Sequence, residues 1–475
     1  MRNTLHTLEN YKRILDLEER RGRLREDYFS EEIRKLSANL KEERAKLKDL
    51  EKGKKQEKLA EIDELRHKYE QSRFEYIKQL YLSIQNGKNQ IELRTVKAKD
   101  KIGYATANIE SMLISKVLMM ELKRSYKYVP ANRNDIVEEL RALLDNPMPK
   151  LVIRADIHHF FESIPQDRLV GKIQEDSYLP AGSLKNMKTF FYKYNKLSNN
   201  QTDKLGVPRG LAFSSYLAEI YLSTFDRKVR QMKGVYFYRR YVDDIILIAN
   251  PSKRSADDVW NELEALVTEA GLQLNEEADK RSCQLYTPNT EQPQVMNYLG
   301  YQFRYAQGKL DVLLTEDKFN RYKDCVRLIF ENYREIGSFT SRKRPLKHKR
   351  TDTTIQLMHR LSALTGNGHL NGRKKYVLVG IFYSNKYLTD LCQLRQLDGY
   401  IRECVNNPAL FNPKQTMFQY GGDNNYETNI NRIREKIMAD YSFVKGYETR
   451  RLYRWSDYAA ILKQVGTMYY SQVDE

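Results

Sequence analysis

Tyr236-Phe237-Tyr238, then Tyr241-Val242-Asp243-Asp244, then Ile245-Ile246-Leu247-Ile248, is the stretch on which the fold of this chain turns. Two apolar runs of strand length flank a pair of adjacent carboxylates, and Asp is disfavoured inside a strand. A tight hairpin turn resolves the conflict, because strict side-chain alternation relaxes there and both carboxylates can reach one edge of a sheet. Ordinary turn chemistry would also accept two Asp residues. What favours a site is a third carboxylate: Leu151-Val152-Ile153-Arg154-Ala155 is another strand, and it ends in Asp156. Three carboxylates at strand ends repel one another and make a poor structural device. They make a good seat for Mg2+, which takes hard oxygen ligands in octahedral geometry. Two such ions close together can activate a hydroxyl and hold the leaving pyrophosphate of one in-line displacement.

Outward from these strands, a helix is expected after Pro165. Another, Leu211 to Phe225, follows Gly206-Val207-Pro208-Arg209-Gly210, and a third runs from Ala256 to Ala270 with Trp260, Leu263 and Leu266 as its buried positions. Strand, helix, hairpin and helix in this order predict an α+β chain built on an antiparallel sheet backed by helices. From Leu5 to about Ser83 the apolar spacing predicts two long antiparallel helices, broken at Lys52-Gly53-Lys54. Residues 41–70 hold ten basic and nine acidic side chains, so this hairpin reads as a solvated one. Beyond Val312 the pattern is mainly helical, interrupted by Ser341 to Arg350 and by a Gly/Asn-rich stretch from Gly421 to Asn429. The expected divisions are residues 1–85, 86–311 and 312–475.

Among the 475 residues, 81 Lys or Arg against 63 Asp or Glu give a net charge of +18, which points to polyanionic partners. Cys283, Cys325, Cys392 and Cys404 form no C-x-x-C pair, which argues against a zinc site or a disulfide scaffold. No signal-peptide pattern and no long apolar run is seen, so a cytoplasmic chain with no membrane contact is expected. Six Lys or Arg between Ser341 and Arg350 are a candidate contact to a nucleic-acid backbone. Tyr441, Tyr447, Tyr453, Tyr458, Tyr469 and Tyr470 interleave with basic residues, a pattern that stacks bases or packs helices.

The blocks Asp156-Ile157-x-x-Phe160-Phe161-x-Ser163-Ile164, Gly206-x-Pro208-x-Gly210-x-x-x-Ser214, Tyr241-Val242-Asp243-Asp244, Gly271-Leu272-Gln273-Leu274-Asn275 and Tyr298-Leu299-Gly300 occur in one order. In that order they resemble bacterial reverse transcriptases, and most of all the retron, group II intron and phage-defence or abortive-infection branches. The resemblance implies a right-hand polymerase, fingers and palm with an antiparallel palm sheet, between an N-terminal helical hairpin and a helical, thumb-like C-terminal region. It implies RNA-directed DNA synthesis by two Mg2+ ions, or Mn2+ in their place, in antiviral defence. Alternatives are protein-primed, non-templated or internally templated synthesis, or a nucleic-acid-binding protein with a dead polymerase fold.

Asp156 and Asp243 match the metal ligands of such enzymes, Asp244 the supporting carboxylate, and Phe161 the ring beneath the incoming sugar. Phe160 reads as core. Lys280 resembles a proton donor to pyrophosphate, and Tyr298-Leu299-Gly300 the primer grip. Arg94, Lys97, Lys99, Lys101 and Arg133 resemble fingers residues over the triphosphate, while Pro208, Arg209 and Gly210 fall on the segment that contacts the nascent pair. Arg209, Ser215 and Glu219 depart from the common Gln, Pro and Asn of relatives. The implied partners are an RNA template or noncoding RNA, a DNA product and deoxynucleoside triphosphates, with a second copy of the chain or a companion defence protein as further candidates.

Overall fold

Continuous apolar runs become the inner strands of a four-stranded sheet. Its order is Val235–Tyr241, Asp244–Ala249, Lys150–Asp156, Ser282–Tyr286. Antiparallel pairing sets Leu151 opposite Ala249 and runs to Asp156 opposite Asp244, while Tyr241 also faces Asp244. Strands buried on both faces need apolar side chains at every position, not alternate ones. Val152, Ile153, Ile245, Ile246, Leu247 and Ile248 accordingly have no exposed surface. At full burial each side chain of this size stabilises by about 1.5–3 kcal/mol.

The computed structural model describes residues 5–20, 24, 28–47, 55–87, 90–98, 101–127, 131–200, 202–288, 292–336, 350–369, 377–411, 426–453, 461 and 465–466. They fall into two compact units, residues 1–131 with 151–283, and residues 132–150 with 284–475.

In the first unit the helix Ser214–Gln231 packs on the strand Val235–Tyr241, and the helices Ile109–Tyr126 and Ala256–Glu269 pack on that helix. Leu217, Leu222, Phe225 and Val229 join Leu113, Val117, Trp260 and Leu263 in one core. Ser255 and Asp258 close a reciprocal capping box at the start of Ala256–Glu269. Its buried stripe is Val259, Trp260, Leu263 and Val267, so the expected Leu266 is only half-buried. The four-residue step from Leu263 to Val267 lies nearer the stripe's axis than the three-residue step to Leu266.

The amino-terminal segment differs from the expected pair of helices. Among the described residues three form: Leu8–Arg20, Glu31–Lys46 and Lys55–Gln85. The second and third are the anticipated hairpin, and the first buries Tyr11, Ile14 and Leu15 at a spacing of three and one. These three residues belong to the main core. The short helix is therefore part of the domain's packing and not an extension of the solvated pair. A β-hairpin, Leu93–Ala98 with Lys101–Thr106, follows.

The second unit contains a sheet ahead of the helical region and, beyond Val312, a small sheet that a mainly helical pattern does not predict. Gln294–Tyr298, Tyr301–Ala306 and Lys309–Leu314 form an antiparallel meander. A small sheet joins Leu378–Gly380, Asn367–His369 and Leu452–Tyr453, the last pair parallel. Strands of two or three residues leave no readable alternation, which is why periodicity misses them. The Gly421 to Asn429 stretch lies mostly outside the described residues, and Ser341 to Lys349 lies wholly outside them.

Asp398, on the helix Cys392–Asn406, holds the helix Phe443–Thr449 in place. Its carboxylate accepts from Ser442 Oγ at 2.6 Å, from the Phe443 N–H at 2.5 Å and from the Val444 N–H at 3.3 Å. Phe443 is fully buried, so loss of the acceptor strands a donor where water cannot reach it. Asp398→Ala should cost about 2–3 kcal/mol, read as a lower urea midpoint. An unchanged midpoint would assign the position of this helix to apolar packing alone.

Candidate active site

The site begins with backbone geometry. Only Val242 and Asp243 connect the strands Val235–Tyr241 and Asp244–Ala249, and Val242 takes φ of +61°. That is a strained value for a β-branched residue and persists only where surrounding bonds over-determine it. Two bonds do so here. Arg240 Nη1 donates to the Val242 carbonyl at 2.7 Å, and the Ile157 N–H donates to the Asp243 carbonyl at 3.1 Å. Both carboxylates thereby reach the sheet edge where Asp156 ends its strand. Ligand oxygens of Asp156, Asp243 and Asp244 lie within 4.8 Å of one another.

Asp156 is braced from the Gly271-to-Asn275 segment. The Asn275 N–H donates to the Asp156 carbonyl at 2.7 Å, and Asn275 Nδ2 to its carboxylate at 3.2 Å. The His158 N–H donates to the Gln273 carbonyl at 2.9 Å, so the segment is pinned on both sides of a bridge between Ile157 and Leu274. Gly271 has φ of +70°, with Pro165 Cγ 3.1 Å from where a Cβ would stand. A side chain there would be strained in conformation and tight in space.

Burial, and then the Asp156 carboxylate, raise Asp243 above the ordinary aspartate range, while its own backbone N–H, Lys280 and Arg209 oppose the rise. Asp244 is raised first by burial as well. Arg154 opposes this at 3.4 Å, and Asp156 and Asp243 add to it. Arg154 is itself fixed by donating to the Asp279 carbonyl at 2.6 Å. A carboxylate raised in the fold penalises folding when ionised, so the penalty is present above the raised value and is relieved as pH falls. The donor set is all hard oxygen, converging from two strand ends and the Val242-Asp243 turn, and fits a divalent ion such as Mg2+.

Beside the carboxylates, Phe160 is buried in the core and Phe161 is half-buried. The Arg209 guanidinium stands 5.1 Å from the Phe161 ring centroid and binds Glu162 through two bonds of 3.1 Å. Pro208 is buried, and its carbonyl accepts from Ser214 Oγ at 2.6 Å. Gly210 has φ of +104°, and the Tyr104 carbonyl lies 2.7 Å from where its Cβ would be. The Tyr104 N–H donates to the Arg209 carbonyl at 2.7 Å. The Gly206-to-Gly210 segment is therefore laid against the β-hairpin Leu93–Thr106.

The expected phosphate-binding residues are not all brought together. Lys280 and Arg209 act electrostatically on Asp243. Arg94 and Lys97 are exposed on the strand Leu93–Ala98, three residues apart, so a regular strand turns them to opposite faces. Lys99 lies outside the described residues. Arg133 lies in the second unit, where its guanidinium donates to the Leu299 carbonyl and stands 4.9 Å from the Tyr301 ring centroid. Its hydrogen-bond acceptor thus belongs to the Tyr298-Leu299-Gly300 turn, and the ring follows directly after it. Tyr441 and Tyr447 are buried, which removes them as exposed hydroxyls, while Tyr458, Tyr469 and Tyr470 lie outside the described residues.

Arg240 is the site residue that sequence reasoning missed. Besides Val242 it binds Glu219 through Nη1 at 3.1 Å and Nη2 at 2.6 Å, and Asp226 through Nε at 2.9 Å and Nη2 at 2.8 Å. Glu219 and Asp226 stand two turns apart on the helix Ser214–Gln231. The signal was present in an acidic pair spaced by seven and an Arg one residue before Tyr241. Glu219 is thus half of a clamp and not merely a departure from a motif.

The family described as "Reverse transcriptase (RNA-dependent DNA polymerase)" matches residues 104–303, so a reverse-transcriptase-like domain spans that part of the chain. No curated protein matches. Solved structures that do include apo telomerase from Candida tropicalis truncated from its C-terminal domain, at 13% identity and a TM-score of 0.32, over 47% of this chain and 54% of that one. Telomerase from Candida albicans with a TWJ fragment of telomeric RNA matches at 13% and 0.31, over 74% and 56%. The corresponding complex from Candida tropicalis matches at 13% and 0.36, over 80% and 64%. This chain therefore spans between about half and two thirds of those telomerase chains.

Removing the guanidinium separates stability from alignment. Arg240→Met leaves Glu219 and Asp226 buried without their cation and should cost about 3–5 kcal/mol. Adding Glu219→Gln and Asp226→Asn should restore part of the melting temperature. The Val242 carbonyl would still lack its donor, so tightness of divalent-ion binding, read by titration calorimetry, should stay below wild type in the triple variant. Full recovery of ion binding would show that the clamp does not align the turn.

Proposed function

We propose that this chain is an RNA-directed DNA polymerase of bacterial antiviral defence, working by two-metal nucleotidyl transfer. The observation that carries the reading is the convergence of Asp156, Asp243 and Asp244 within 4.8 Å, inside a reverse-transcriptase-like domain. The defence role rests on the resemblance of the motif blocks. In this reading residues 86–311 work as fingers and palm, residues 1–85 as a helical appendage and residues 312–475 as a thumb-like region.

Two Mg2+ ions held there would lower the charge cost of attack by a primer hydroxyl and of pyrophosphate departure. The protein's own share is alignment and charge. Asp156 and Asp243 converge from a strand end and a turn, Asp244 is steadied by Arg154, and Asn275 fixes the rotation of Asp156. Arg209 and Lys280 supply positive charge beside Asp243, and Lys280 is the proposed proton donor to pyrophosphate. The half-buried Phe161 ring is the proposed floor under the sugar, where a rigid edge rejects a 2′-hydroxyl.

A second reading has one observation in its favour. Arg209 replaces the usual Gln and is tied to Glu162 across the face of Phe161. A cation in that place suits phosphate better than a base edge. This favours internally templated or non-templated DNA synthesis.

Asp243→Asn should abolish nucleotide incorporation while leaving the thermal midpoint equal or higher, since it removes a buried, repelled charge. Incorporation within about threefold of wild type would remove Asp243 from the ligand set.

Phe161→Ala should open room for a 2′-hydroxyl and raise the ribo-to-deoxy incorporation ratio by about tenfold or more. An active variant with an unchanged ratio would place sugar selection elsewhere.

A further inference from the structure

The helix Ala181–Leu197 has a face that the catalytic reading leaves unused. It carries Lys185, Lys188, Lys193 and Lys196 and no acidic residue. Its core side is Ser183, Met187, Phe190, Phe191 and Tyr194, with the Tyr194 ring edge-on to Tyr104 at 4.8 Å. At 100° per residue, Lys185, Lys188, Tyr192 and Lys196 form one stripe on the opposite side. All four are exposed, Tyr192 by 63%. An open cleft of about 480 Å³ lies along the same face, lined by Ala181, Leu184, Lys185, Lys188, Thr189 and Tyr192.

Two features separate this stripe from ordinary solvated helix surface. Several exposed lysines on the amino-terminal helices pair with carboxylates three or four residues away, as Lys35 does with Glu31, Lys46 with Glu42 and Lys68 with Glu64. No carboxylate among the described residues pairs with Lys185, Lys188 or Lys196. A large aromatic ring also stands exposed in the middle of the lysines, where burial against the core would have removed more apolar surface from water. Unpaired cations flanking an accessible ring match phosphates flanking a base.

We propose that this face binds a single nucleic-acid strand, with Lys185, Lys188 and Lys196 against its phosphates and Tyr192 stacked on a base. The stripe extends about 16 Å from Lys185 to Lys196 at 1.5 Å per residue, enough to follow the strand over successive phosphates. The charge complementarity is to a polyanion, and the ring selects a strand whose bases are unstacked over a duplex whose bases are not. The proposal deepens the polymerase reading by giving its nucleic-acid partner a track outside the acidic site, and it rests on that reading.

The test uses the full chain and short unstructured oligonucleotides of one sequence, as RNA and as DNA, with the matching duplex as a third probe. Binding is followed by fluorescence anisotropy across a salt series. Lys185→Gln with Lys188→Gln should lower the magnitude of the log–log salt slope for the single strand by about 1.4, the release expected for two phosphates. Tyr192→Ala should weaken single-strand binding by roughly five- to a hundredfold, and Tyr192→Phe should stay within about twofold of wild type. Thermal midpoints of all variants establish that they fold. A loss with RNA, with DNA or with both supports the track and identifies its strand. Unchanged affinity and slope for both strands, or a loss confined to the duplex, overturns it. Incorporation by the wild-type chain on a primed template is measured separately, so failure of the polymerase reading is distinguishable from failure of this surface.

Discussion

The Arg240 guanidinium is buried with Glu219 and Asp226 against it, and one of its donors holds the Val242 carbonyl. Charge balance and turn geometry are thus a single interaction. A buried cation without its carboxylates would cost several kcal/mol, so the helix that carries them cannot drift from the strand that carries the cation. That strand ends in the turn whose strained Val242 aims Asp243, and the next strand starts with Asp244. Tyr238, on the same strand, donates at 2.6 Å to Asp226 Oδ1, the oxygen that Arg240 Nε also binds, and so fixes the acid from a second side chain. Repulsion among the three carboxylates pushes the turn apart. The clamp is the opposing term, and it acts on backbone, where a displacement would move two of the three ligands at once.

Other parts of the site depend on backbone approach more than on side chains. Gly206 and Gly210 both have positive φ, and a Cβ at Gly206 would stand 2.9 Å from the Glu162 carbonyl. The Gly206 and Val207 N–H groups donate to the carbonyls of Ile164 and Phe161 at 2.7 Å. The segment after Asp156 is thereby sewn to the segment before the helix Ser214–Gln231, with Phe161 and Arg209 brought to the same place. Asn275 does the corresponding work on the other side of Asp156. Segments more than a hundred residues apart meet here through main-chain bonds, which constrain position without depending on the chemistry of the side chains they deliver.

Much of this was legible in the sequence. Asp243 and Asp244 between apolar runs, and Asp156 at the end of another, were readable because a carboxylate in a buried strand has no structural excuse. The assignment of Phe160 to the core also agrees with its burial. The helix Leu8–Arg20 was not separated from its neighbour, although Tyr11, Ile14 and Leu15 carry helical spacing, because the highly charged residues downstream set the reading of the whole segment. Arg240 was missed for a different reason. A buried Arg is recognised only by its partners, and Glu219 and Asp226 lie 21 and 14 residues away on another element. Arg133 shows the converse: a cation near the right motif by number is held by the Leu299 carbonyl, whose proximity no local pattern encodes.

Burial decides what each arginine near the carboxylates can do. Arg240 is nearly inaccessible, and breaking a buried pair by removing one partner costs about 3–5 kcal/mol, so it cannot exchange partners during a reaction cycle. Arg154 is constrained by a backbone carbonyl as well as by Asp244 and acts as a fixed counter-charge. Arg209 is different, because it and Glu162 are both partly open to solvent, and pairs of that kind are worth about 0–1 kcal/mol. A phosphate oxygen offers the same planar fork a stronger acceptor at little cost in the bond given up. On the proposed reading the three guanidiniums therefore divide between structure, fixed charge and exchangeable contact, and the division follows from their solvent exposure and partners, since their residue type is the same.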